Sequence, residues 1–190
     1  MNAKSRRKLE MGRRVLEWSR THSDPSPGYG AAVSRLEDRL KRAEQLAEQQ
    51  RNGILEVRRA TRRKEELRRT MKGANLGHLA SVAEAASSEE PELVQKFVVP
   101  RRVNTYLAFR TAARGVAAEA ESRKEMLVKH GLSEGVLQDL IQLLDEFDLV
   151  VEQGTQGRAA HVGASAELDN VAGEVVQIVD VMDGLNRVGL

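Results

Sequence analysis

At 190 residues the chain is long enough for one domain with a real core and short for two. Its charged fraction is 31% and its aromatic fraction only 3%, a balance that disfavours sandwiches and barrels, which want aromatic and β-branched residues at period two. There is no cysteine, which removes disulfides, zinc fingers, iron–sulfur ligation and thiol nucleophiles together.

The net charge of +2 is built from opposed blocks. Residues 1–20 hold seven Lys/Arg against two acids, and residues 51–72 hold nine against three. Residues 131–190 reverse the sign, with eleven acids against Arg158 and Arg187. The basic N-terminus lacks the continuous apolar segment of a signal peptide, and no apolar run approaches the roughly 18–20 residues needed to span a bilayer. A cytoplasmic protein with no transmembrane segment is expected.

In chain order, the first helix is predicted over 3–20, with Leu9, Val15, Leu16 and Trp18 as its apolar residues and Trp18 as the anchor that docks it. His22-Ser23-Asp24-Pro25-Ser26-Pro27 breaks it, and Ser26 followed by Pro27 suits the N-cap and first position of the next helix. In that second helix Val33, Leu36, Leu40, Ala43, Ala47, Gln50, Ile54 and Val57 alternate at three and four residues, an apolar seam of coiled-coil type continued by Leu67 and Met71. Glu37 before Lys41 and Asp38 before Arg42 support an exposed face.

Unbroken from Pro27 to Lys72, this helix would be about 70 Å long. A compact chain of this size has a diameter of roughly 40 Å, so elongation is expected. Asn52-Gly53 is the expected bend, and Gly73 to Gly77 the expected end or kink before more helix to residue 86. Glu92 to Phe97 reads as a short helix, with Val98-Val99-Pro100 extended after it. Asn104 or Thr105 then caps a helix to His130, Gly131 is its left-handed C′ residue, and Ser133 caps the last long helix, 133–188. Within that helix Val136, Leu137, Leu140, Ile141, Leu144, Phe147, Leu149 and Val151, then Leu168, Val171, Val175, Ile178, Val179, Met182 and Leu185, are expected to face inward. The Gly- and Ala-rich stretch 154–163 between them is ambiguous.

The sharpest chemical candidate is the basic stretch holding Arg58, Arg59, Arg62, Arg63, Lys64, Arg68, Arg69 and Lys72. Outward and unpaired, such a cluster contacts phosphates. The competing expectation is that acids of the C-terminal helices neutralise it by antiparallel pairing inside the bundle. No aromatic residue interleaves the stretch. The N-terminal helix, basic and carrying Trp18, has the pattern of a membrane-surface or nucleic-acid helix, but docking in the bundle is the commoner outcome.

His22, His78, His130 and His161 have neither the Glu-x-x-His nor the His-x-x-x-His spacing of bundle metal sites, so no metal and no cofactor is expected. His130 reads as a helix C-cap. Gly154, Gly157, Gly163 and Gly173, with Ala112, Ala113, Gly115, Ala117, Ala118 and Ala120, read as small-residue seams where helices approach closely, not as phosphate loops. Glu119 with Glu121, and Asp145 with Glu146 and Asp148, are carboxylate groups on helix faces without a catalytic motif around them.

Gly28-Tyr29-Gly30 leading into Val33-Ser34-Arg35-Leu36-Glu37, and Asn104-Thr105-Tyr106-Leu107-Ala108-Phe109-Arg110-Thr111-Ala112, resemble segments of uncharacterised bacterial helical-bundle proteins. That resemblance implies the fold and no activity.

The sequence therefore predicts an all-α protein: one domain over 1–190, an elongated antiparallel bundle of about four main helices with coiled-coil-like packing. Its expected role is structural or protein-interacting, without catalysis, with a protein partner or a second copy of the chain as ligand. The alternative is nucleic-acid binding through the basic face at 58–72.

Overall fold

The computed structural model describes residues 1–22, 26–98 and 105–188. All regular structure among them is helical, as the composition requires: α1 (Ala3–Thr21), α2 (Pro27–Thr70), a π-helical segment (Met71–Leu76), α3 (Gly77–Ala86), α4 (Leu93–Lys96), α5 (Tyr106–Ser122), α6 (Lys124–Lys129) and α7 (Glu134–Val188). None of these helices is long and apolar enough to cross a membrane. The chain folds as two compact units, Met1–Val57 with Thr155–Leu190, and Arg58–Gly154.

In the first unit α1 packs on the early part of α2 and the late part of α7. Asn2 caps α1 by accepting the Ser5 N–H at 2.8 Å. The Asn2 side-chain amide and the Ser5 hydroxyl both donate to Asp169 Oδ1, at 2.8 and 2.6 Å, tying the start of α1 to α7. At the other end Ser19 Oγ and the buried Tyr29 hydroxyl lie 2.8 Å apart. The Pro25 break lies outside the described residues; beyond it Ser26 Oγ accepts the Tyr29 N–H at 3.3 Å, and α2 opens on Pro27.

The core holds Leu9, Leu16, Leu36, Leu40, Leu46, Leu168, Val175 and Met182. In this unit α2 and α7 run antiparallel, with Arg39 on Glu174 at 3.2 Å, Arg42 on Glu167 at 2.6 Å, and Gln50 donating to Ser165 at 2.6 Å. Glu37 pairs with Lys41 as its spacing predicts, whereas Arg42 is drawn to α7.

Trp18 does not dock α1. It is 50% exposed, and the helix seats itself through Leu9, Gly12 and Leu16. Gly12 is the reason: a methyl there would collide with the Val175 side chain, so this bare position sets the inward face and Trp18, six residues on, falls on the other side. Gly53 likewise marks contact with α7 and not a bend, since α2 runs through it without interruption.

In the second unit the helix neither ends nor breaks at Gly73–Gly77. The Gly77 N–H reaches the Lys72 carbonyl, an i→i+5 bond, and the π segment absorbs one extra residue. The burial pattern shows why it is needed. Leu67, Met71, Leu76, Leu79, Val82, Ala83 and Ala86 are all buried, as is Asn75, whose side-chain amide donates to the Val136 carbonyl at 3.1 Å; the apolar step from Met71 to Leu76 is five residues where a regular helix allows three or four.

Leu93 and Phe97 close the turn around α4, and Val99 and Pro100 lie outside the described residues. Thr105 caps α5, its Oγ1 accepting the Ala108 N–H at 3.1 Å; Asn104 lies outside the described residues. Phe109, Ala113, Val116, Ala117 and Ala120 form the inward face of α5.

The single helix expected to His130 is two. At Arg123 the backbone leaves the helical region (φ −119°, ψ 18°), because a straight course would carry Lys124 into the inward slot between Ala120 and Leu127. Lys124 pairs instead with Glu134 at 3.3 Å. His130 ends α6, Gly131 follows at φ 102°, and α7 starts at Glu134 and runs without interruption through the Gly-rich stretch. Along α7, Leu137, Leu140, Leu144, Phe147 and Val150 are buried, while Leu149, Val151 and Leu185 point to solvent and not inward.

Candidate nucleic-acid interface

The basic stretch lies on the last four turns of α2 and the π segment. At 100° and 1.5 Å per residue, Arg58, Arg62 and Arg69 fall within about 40° of azimuth and along about 16 Å of helix. All three are exposed, and none makes an ion pair or hydrogen bond among the described residues. They form a row of cations open to solvent, interrupted by Glu65 on the same azimuth and flanked by exposed Arg59.

The remaining members are engaged. Arg63 bonds to Glu146 of α7 at 2.7 Å and lies 3.3 Å from Glu66; those hydrogen bonds, Glu146 first, raise its pKa above the usual arginine value. Lys64 sits over the Tyr106 ring with its Nζ 4.4 Å from the centroid. The Arg68 and Lys72 head groups lie over Phe109 at 5.4 and 5.8 Å. Spaced i, i+4, i+8, these three half-buried cations lid an aromatic cluster in which Phe147 lies 6.0 Å from both Tyr106 and Phe109. Their charge still faces the row of arginines, so a sector of about 160° of α2 is predominantly positive.

Antiparallel neutralisation by α7 thus holds for Arg63 and does not extend to Arg58, Arg62 or Arg69. Two neighbouring acids of α7, Asp145 and Asp148, are held by α5. Asp148 accepts from both Arg110 and Arg114, and Arg114 also reaches Asp145 at 2.7 Å. Hydrogen bonding from Arg110 is the largest cause holding the Asp148 pKa below its ordinary value, against partial burial, and the same contacts raise Arg110 and Arg114. Glu119 is held low in the same way, by Arg123 first and Lys96 next. These carboxylates are ion-pair partners, which accounts for them without chemistry.

The histidines lie apart. His22 stacks on Trp18, His130 Nε2 faces Glu89 at 3.1 Å, and His161 Nδ1 lies 3.3 Å from the Gln50 carbonyl. Of the predicted seams, Ala113, Ala117 and Ala120 are buried and Gly154 and Gly157 meet α2 closely, whereas Gly115, Gly163 and Gly173 have open space beside them. The aromatic lid was invisible within the basic stretch because its rings come from α5 and α7.

No protein family, curated protein or solved structure matches this chain. What fold and surface define together is an all-α protein whose most distinctive exposed chemistry is cationic.

Proposed function

We propose that the chain is a non-catalytic helical module that binds an extended polyanion, a nucleic acid, through Arg58, Arg62 and Arg69. The observation that carries this reading is that these three guanidinium groups share one exposed azimuth and have no carboxylate partner among the described residues. Duplex DNA offers one negative charge per about 1.7 Å of axis, so a 16 Å row meets several phosphates, and each neutralised phosphate releases condensed counterion. Contacts from such a row to the phosphate backbone position the nucleic acid and carry no sequence preference. Coiled-coil-like packing of the long helices and a cytoplasmic setting go with this reading. Binding measured against salt, for the wild-type chain and the R58Q/R62Q/R69Q variant, tests it.

A protein partner or a second copy of the chain is the second reading. It is favoured by an open groove of about 510 Å³ in the first unit, lined by Ala32, Arg35, Asp38, Arg39, Ile178 and Val181, with Val181 55% exposed. The molecular mass in solution tests self-association.

A further inference from the structure

Helix α1 carries two registers of cations that the fold treats differently. Arg6, Arg13 and Arg20, seven residues apart, pair with Glu10, Glu44 and Glu37 at 3.8, 3.3 and 3.2 Å. Lys4, Arg7 and Arg14 are exposed and make no ion pair among the described residues. With half-buried Met11 and exposed Trp18 they occupy one outward sector about 80° wide, and the row from Lys4 to Trp18 covers about 21 Å.

At the end of that row the Trp18 and His22 rings are stacked, 4.6 Å apart and 9° from parallel. The His22 ring is held in place through Nδ1, 2.9 Å from Thr21 Oγ1 and 3.1 Å from the Trp18 carbonyl. Trp18 is 50% exposed and does not dock the helix, which Leu9, Gly12 and Leu16 do.

From this geometry we infer that the outward face of α1 is a binding site for single-stranded nucleic acid, with Lys4, Arg7 and Arg14 on its phosphates and a base stacked on the Trp18–His22 platform. A linear row of cations ending in an exposed ring is the combination by which single strands are held: electrostatics track the backbone, and every base offers a π face. An anionic membrane fits less well. An interfacial helix sinks a broad apolar face to the acyl boundary, and here Leu9 and Leu16 are spent on the bundle, leaving Trp18 and part of Met11. Duplex fits less well too, since its bases are already stacked. The site belongs to the first unit alone and stands independently of the arginine row on α2.

Trp18 is the only tryptophan, so its emission in the full chain reports this site directly. Titration with an oligothymidylate is expected to quench it, a duplex of equal length to quench it far less, and anionic phosphatidylserine vesicles to leave it unshifted. Trp18→Ala should weaken oligonucleotide binding about tenfold, with Trp18→Phe restoring most of it. The R7Q/R14Q variant should flatten the salt dependence by about 1.4 in log–log slope. These side chains are exposed, and circular dichroism checks that each variant keeps its helices. Oligonucleotide binding with unchanged emission, equal quenching by duplex, or a blue shift with vesicles and no quenching by oligonucleotide would each overturn the inference. Quenching that persists in R58Q/R62Q/R69Q, beside an unaltered affinity, would remove the α2 row and leave this site standing. Binding abolished in that variant with silent Trp18 in the wild type would do the reverse.

Discussion

Gly53 of α2 and Gly157 of α7 cross so closely that a methyl on Gly53 would lie 2.6 Å from the Gly157 carbonyl oxygen, and one on Gly157 would lie 3.1 Å from that of Gly53. Alanine ordinarily gains up to about 1 kcal/mol over glycine inside a helix. Here the new methyl meets backbone, which cannot rotate away, and overpacking of this kind costs about 1–3 kcal/mol. Gly53→Ala should therefore lower the melting temperature despite improving helix propensity. Gly163→Ala and Gly173→Ala, where nothing lies within 4 Å of the added carbon, should raise it, each by up to about 1 kcal/mol of stability. Thermal unfolding of the three variants side by side checks both signs.

The Arg110–Asp148–Arg114 cluster predicts a pH dependence. The folded pKa of Asp148 lies below its unfolded value, so the contribution is complete above the ordinary carboxylate range and is lost as pH falls through the lowered value. Asp148→Asn should melt earlier than wild type at pH 7. The difference should shrink as the pH is taken below about 4. Melting curves at several pH values read this; a difference that grows in acid would contradict it.

Trp18 and Leu16 provide a contrast in stability. Trp18→Ala removes a side chain half in water, and should cost well under the about 2–5 kcal/mol expected for Leu16→Ala in the core. Denaturant unfolding of the two variants distinguishes a surface tryptophan from a docking one.

Much of the architecture was legible in the sequence because it follows from local rules. Seam spacing marks the helices, Ser26-Pro27 and Thr105 mark their starts, and Gly131 marks a left-handed stop. The five-residue step from Met71 to Leu76 was also present, and Gly73 within it and Gly77 after it flagged it, but whether a helix kinks or widens there depends on the packing of Leu76 and Leu79 in the second core. Azimuth was the part that stayed hidden. Eight cations between 58 and 72 point all around α2, and which of them remain open depends on where α5 lands, since its Arg110 and Arg114 take the acids of α7 and its Tyr106 and Phe109 receive Lys64, Arg68 and Lys72. The direction of Trp18 was decided by Gly12, a residue whose role is visible only against Val175.

The central claim is that Arg58, Arg62 and Arg69 act as one phosphate-binding row. Equilibrium binding of a fluorescein-labelled duplex, measured from 50 to 200 mM salt, tests it most directly. Log K should fall linearly with log salt, with a slope shallower by about 2.7 in R58Q/R62Q/R69Q, three phosphates' worth, while thermal stability is retained. A slope unchanged by the triple replacement, or an affinity for duplex that does not respond to salt, would contradict it.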